Sequence, residues 1–224
     1  MTRTDFAERI SSGLAGWLQQ LAAQNLEDQV GEDAARVELV RMISAQRAFV
    51  PDTSLRPNNW PATTRKRIDI AVLGRRAAAT GWYGAIELKW PGQAFAVADV
   101  RHKIVEDIVR VAFAQTANMG ANFLILGGTA ASLTKLFDTV HTQSQSRERQ
   151  RLSFNELLKR TLPDPIGTLP NVQLNQHFPD FADRVPQTTF NGWNRRLRTD
   201  LVAKVDALVG TTVKGTVYVW QCSK

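Results

Sequence analysis

Phe6, Ile10, Leu14, Trp17, Leu18 and Leu21 recur at three- and four-residue spacing, which predicts an amphipathic helix over residues 4–24. A polar break leads to Gly31, and a second helix is expected over residues 32–47. Residues 51–66 hold Pro51, Pro57 and Pro61 among Asn and Thr, the composition of loop or edge strand. The period then changes. Ile68, Ile70 and Val72 alternate with Asp69, Ala71 and Leu73, and a second strand-like run over residues 83–90 is stopped by Pro91 and Gly92.

Beyond it, Val100, Ile104, Ile108, Val111 and Ala112 mark a helix over residues 98–119, followed by a buried strand at 122–126 that Gly127 and Gly128 are expected to end. Residues 130–140 and 150–160 read as helices separated by a polar run over 141–150. Residues 161–191 are rich in turn formers, residues 194–209 read as a helix, and residues 216–220 as a closing strand. Helix, strands, helix, strand in that order predicts an α/β protein with a mixed central sheet flanked by helices. The 224 residues suit one domain: an N-terminal helix in 1–30, a core in 31–130 and C-terminal additions in 131–224.

The predicted strands carry charge in unexpected places. Asp69 lies inside an apolar run, as do Glu87 and Lys89. Side chains alternate along a strand, so Glu87 and Lys89 share a face with Ala85, and Asp69 shares one with Ala71 and Leu73. The opposite faces, Ile68, Ile70 and Val72 with Ile86, Leu88 and Trp90, are wholly apolar. An antiparallel pairing that sets Asp69 opposite Glu87 also sets Arg75 opposite Gly81, leaving a hairpin loop at 76–80. Directly opposed residues have Cβ atoms about 4.5–5.5 Å apart, so both carboxylates can reach one cation, with Lys89 two residues along.

Those residue types suit phosphodiester hydrolysis. Two adjacent carboxylates repel unless a cation neutralises them. Hard oxygen ligands suit Mg²⁺, with Mn²⁺ able to substitute, and the metal lowers the pKa of a bound water. A lysine nearby can orient or deprotonate that water, or stabilise charge in the transition state. The competing reading is an ordinary amphipathic hairpin with a charged solvent face. In the preceding helix, Glu32 falls on the apolar stripe and Glu38 on its flank, so Glu32 is the preferred third acid and Glu38 the fallback.

Composition narrows the chemistry further. One cysteine, Cys222, and three scattered histidines, His102, His141 and His177, exclude a disulfide framework and the familiar zinc patterns. There is no Gly-rich phosphate loop, which argues against a nucleotide-binding enzyme. A formal charge of +7 favours an anionic partner, and nucleic acid is the expected one. The C-terminal part carries most of the excess, with 13 basic and 8 acidic residues over 131–224. No apolar run is long enough to span a bilayer and no signal-peptide order is visible, so no membrane partner and a cytoplasmic location are expected.

A helix with Glu32, a strand with Asp69, a strand with Glu87-Leu88-Lys89, then helix and strand resembles the PD-(D/E)xK nuclease superfamily, which includes many restriction endonucleases and junction resolvases. The resemblance covers residues 32–126. Asp69 corresponds to the family's metal-binding Asp, Glu87 to its second acid, Lys89 to its lysine and Glu32 to the acid on the preceding helix; Ile68 stands where the motif has proline. The resemblance implies a restriction-endonuclease-like αβββαβ core and a Mg²⁺-dependent endonuclease hydrolysing DNA, less often RNA, in restriction or phage defence. It leaves a homodimer open.

Lys103, Asp107 and Arg110 sit at i, i+4 and i+7 on the helix that follows, a face able to hold phosphate or position Lys89, or simply to be solvated. His102 reads as a surface residue. Arg147, Arg149 and Arg151 fall in the expected loop, while Trp193 with Arg195, Arg196 and Arg198 opens the expected penultimate helix. Lys103, Arg110, Arg195, Arg196 and Arg198 are the candidate nucleic-acid contacts. The alternative function is a non-catalytic nucleic-acid-binding or protein-interaction module on the same fold.

Overall fold

The computed structural model describes residues 3–46, 49–53, 68–74, 82–114, 121–142, 144–161, 164–178 and 196–224. Helix α1 (Arg3–Ala23) buries Phe6, Ile10, Leu14 and Leu18, the stripe that its spacing predicts, against the sheet. Helix α2 (Glu32–Ala45) buries Ala35, Leu39 and Ile43. Strands β1 (Phe49–Asp52), β2 (Ile70–Gly74) and β3 (Trp82–Lys89) follow, then α3 (Val97–Ala112) and β4 (Ala121–Thr129). Helices α4 (Ala130–Asp138) and α5 (Gln145–Leu157), strand β5 (Ile166–Pro170), helix α6 (Asn171–His177) and the long strands β6 (Arg196–Val209) and β7 (Thr212–Ser223) complete the chain.

Among the described residues, seven strands form one mixed sheet in the order β1-β2-β3-β4-β7-β6-β5. Only β3 and β4 run parallel, joined across α3; every other neighbouring pair is antiparallel. Pro51 is accommodated because, among the described residues, β1 is an edge strand with hydrogen-bonding partners on one side alone. Both faces of the sheet are covered. Ile70, Val72, Ile86, Leu88, Phe123, Ile125, Val217 and Val219 pack with α1 and α2. Ala85, Leu124, Leu126, Tyr218, Trp220 and Cys222 pack with α3, α4 and α5. Double coverage is why the central strands read as nearly continuous apolar runs.

The register of the first hairpin follows the charge-based expectation: Ile70 pairs with Ile86 and Ala71 with Ala85. A bulge between Val72 and Leu73 then shifts the pairing, and the expected loop at 76–80 lies outside the described residues. Asp69 sits in a bend one residue before regular β2. That bend turns Ile68 away from Ile70, so Ile68 joins the α3-side core and not the apolar face assigned to it by alternation.

Other expectations are corrected. Strand β4 continues through Gly127 and Gly128 to Thr129, because the glycines admit a close neighbour and do not end the strand. A Cβ on Gly127 would meet the Trp90 ring at 2.2 Å. Residues expected to form a polar loop around 141–150 instead enter α5, whose N-cap Ser144 accepts from the Arg147 N–H. Residues 196–209 are strand β6 and not helix: Leu197, Thr199, Leu201 and Ala203 are buried in strict alternation. Gly210, at φ 61°, makes the tight turn into β7. The C-terminal part therefore extends the same sheet beside β4. Among the described residues, no helix is long and apolar enough to cross a membrane.

Candidate active site

The end of β3 collects charge from four elements. Alternation places Glu87 and Lys89 on the face covered by α3, so neither projects into solvent as a simple amphipathic hairpin would have it. Asp69 arrives from the bend before β2 and is fixed by the strand it faces: the Leu88 N–H donates to its Oδ2 at 2.9 Å. Helix α3 contributes Glu106, Asp107 and Arg110, all buried. The start of α2 contributes Glu32 and, one turn on, Arg36.

These groups form one chain of ion pairs. Arg110 Nη1 donates to Glu87 Oε1 at 2.7 Å, while its Nη2 lies 2.9 Å from Asp107 Oδ1 and 3.5 Å from Glu106 Oε1. The other Asp107 oxygen is 3.1 Å from Lys89 Nζ. Lys89 also spans both oxygens of Glu32 at 3.3 Å. Glu32 continues to Arg36 Nη2 at 3.2 Å, and the same nitrogen lies 3.3 Å from Asp69 Oδ1. Arg36 Nη1 donates to Asp33, which is solvent-exposed.

Electrostatics set the protonation states. Burial raises the Glu87 carboxyl well above its ordinary range; Asp107 and Asp69 push it the same way, and Arg110 offsets them only in part. For Lys89, burial favours the neutral amine, but Asp107, Glu32 and Asp69 outweigh it and hold the ammonium firmly charged. Arg110 is likewise held protonated, with Glu87 and Asp107 overcoming its burial.

The site has room, in charge, for a cation. Among the described residues, five carboxylates (Glu32, Asp69, Glu87, Glu106, Asp107) face three cations (Arg36, Lys89, Arg110), a formal excess of two negative charges. Glu87 Oε2 is buried and, among the described residues, has no hydrogen-bond donor, although Asp69 is close enough for the two carboxyls to share a proton. A proton or a metal ion between them satisfies that oxygen; an ionised pair alone leaves it unmatched. Among the described residues, no group of three or more His, Cys, Asp or Glu converges as a ready-made metal cage. An acid pair fits Mg²⁺ or Mn²⁺, which complete their shells with water and substrate phosphate.

The other candidates lie elsewhere. Glu38 pairs with Arg41 at 2.5 Å and takes no part in the site, leaving Glu32 as the third acid there. Lys103 is exposed on α3. The expectation that Arg110 meets nucleic acid is corrected: its side chain is 10% exposed and turned inward onto three acids. His102 is buried against the Phe178 ring and is not a surface residue. Arg196 and Arg198 are exposed on alternate positions of β6, while Trp193 and Arg195 lie outside the described residues. Arg147 and Arg149 are exposed on α5, and Arg151 pairs with Glu148 on the same helix.

Sequence reasoning missed Arg36 and Glu106. Their signals were present as helical spacing: Arg36 is four residues from Glu32, and Glu106 four from Arg110. Compared with known proteins, the chain matches no family model, no curated protein and no solved structure.

Proposed function

We propose that the chain is a metal-dependent phosphodiesterase of the PD-(D/E)xK type, an endonuclease acting on nucleic acid and on DNA first. One observation carries the reading. Asp69 and Glu87 lie close enough to share a proton, Glu87 Oε2 has no hydrogen-bond donor among the described residues, and the ammonium of Lys89 stands on the same strand two residues away. The element order α2-β1-β2-β3-α3-β4 is the αβββαβ order that the resemblance implies, and the net charge of +7 suits a polyanionic substrate.

Asp69 and Glu87 would hold the metal. When bound, it would polarise the phosphoryl group and make its water a better nucleophile at neutral pH. Asp107, Glu32 and Asp69 hold Lys89 as the ammonium, and as a cation it would orient a water or phosphoryl oxygen and offset developing negative charge. Asp107 and Glu32 hold that ammonium from two sides and limit its rotamers. Arg110 holds Glu87 at the pocket and leaves the second oxygen for the metal.

The test is cleavage of supercoiled plasmid with Mg²⁺ by the native chain, Asp69→Ala and Lys89→Ala. Nicking or linearisation by the native protein, abolished by EDTA and by both substitutions, supports the enzyme. Equal cleavage by all three proteins contradicts the assigned site. A second reading, a non-catalytic nucleic-acid-binding module, is favoured by the degree to which three cations already neutralise the acids, as in a structural ion network. DNA binding without cleavage, unchanged by the substitutions, selects it.

A further inference from the structure

Two arginines hold the acid pair, and they differ in their freedom to leave. Arg110 reaches Glu87 from inside the protein, is tied to three carboxylates and is 10% exposed at its side chain. Arg36 reaches Asp69 from the second turn of α2 with a side chain 30% exposed, the most open of the three site cations, since Lys89 is 17% exposed. Its strongest geometric contact, 2.9 Å to Asp33, is to a carboxylate 94% exposed, where an ion pair contributes little. Its Nη2 is divided between Glu32 at 3.2 Å and Asp69 at 3.3 Å.

The contact with Asp69 is the informative one. The Leu88 N–H occupies Asp69 Oδ2, so Arg36 sits on the oxygen that the backbone leaves open. A divalent ion binding there competes with the guanidinium directly. Arg36 can yield by swinging on its own flexible stem, whereas moving Arg110 would take from the fully buried Glu87 the guanidinium that compensates it.

We propose that Arg36 is a displaceable resident cation, holding Asp69 in the metal-free protein and turning to a nucleic-acid phosphodiester once a divalent ion takes its place. A guanidinium fork matches two phosphate oxygens, and a partly exposed one beside the acids is placed to draw a polyanion toward otherwise repulsive carboxylates. The inference rests on the nuclease reading above, and it adds an order of events in which metal binding frees a substrate contact.

The experiment uses Arg36→Gln and Arg36→Lys in the full chain. Mn²⁺ alone is titrated calorimetrically without nucleic acid, and duplex DNA cleavage is then measured with Mg²⁺. Removing the competitor tightens Mn²⁺ binding by roughly fivefold in R36Q, while R36K, which keeps the charge, stays near native. Both variants raise KM for DNA, R36Q by about tenfold, with kcat little changed, because the fork is lost in each. Native or weaker Mn²⁺ affinity in R36Q overturns the displacement, and an unchanged KM overturns the phosphate contact. A native chain that binds Mn²⁺ and cuts DNA while R36Q matches it sinks this inference alone; a native chain that does neither sinks the nuclease reading with it.

Discussion

Arg110 Nη1 donates to Glu87 Oε1 across 2.7 Å, joining α3 to β3 through two buried charged groups. Such a pair is poor evidence for extra stability, because desolvating both ions offsets most of their attraction. Breaking it is another matter, because the partner left behind stays buried.

Arg110→Ala is therefore expected to cost about 3–5 kcal/mol in urea unfolding at pH 8. The loss shrinks as pH falls, because burial raises the Glu87 carboxyl and a protonated Glu87 no longer needs a cation. A cost below about 1 kcal/mol at pH 8 would show that the pair is not closed in solution.

Glu87 itself gives a pH signature. Burial, Asp107 and Asp69 raise its folded-state pKa above the ordinary 4.5. A raised acid stabilises the fold fully below the unfolded value of 4.5, and that contribution is lost as pH climbs through the folded value. Metal-free native protein should then melt at progressively lower temperature from about pH 5 upward, and Glu87→Gln, which imitates the protonated acid, should flatten the decline. Melting curves in EDTA for the two proteins decide it; parallel slopes contradict the assignment. E87Q is expected to be more stable than native at pH 8 and inactive toward DNA.

Two glycines should respond in opposite directions. A Cβ on Gly167 would lie 1.7 Å from the Leu157 carbonyl oxygen, where only backbone can give way. Gly167→Ala is expected to destabilise by roughly 1–3 kcal/mol or to prevent folding. Gly16 is exposed in the middle of α1, with open space around a Cβ, so Gly16→Ala should gain about 0.5–1 kcal/mol. Urea midpoints measure both.

Much of this was legible beforehand because it rests on local periodicity. The stripe Phe6, Ile10, Leu14, Leu18 and the alternation around Ile70 and Ile86 announced helix and strand, and the pairing of charged positions gave the hairpin register. Strand β6 was not legible: Leu197, Leu201 and Leu208 also fit helical spacing, and only pairing with β5 and β7 selects the two-residue period. The acids Asp69 and Glu87 could be found from charge inside apolar runs. Their cations could not, because Arg36 and Arg110 look like solvated helix residues until the sheet packs beneath them.

Cys222 reports on the closed half of the molecule. Burial on β7 pushes its thiol up to about 12, leaving almost no thiolate at neutral pH. A disulfide-exchange reagent at pH 8 should label it only as fast as the protein unfolds. Prompt labelling of native protein would show that the sheet opens at this edge of the core.

The central claim is that Asp69, Glu87 and Lys89 act as one hydrolytic site. Single-turnover cleavage of a labelled DNA duplex in Mg²⁺, compared among native, Asp69→Asn, Glu87→Gln and Lys89→Met proteins with matched melting temperatures, tests it most directly. The account expects metal-dependent scission by the native chain and losses on the order of 10²-fold or more in each variant. Intact DNA with the native chain at saturating Mg²⁺, or undiminished scission by any folded variant, contradicts it.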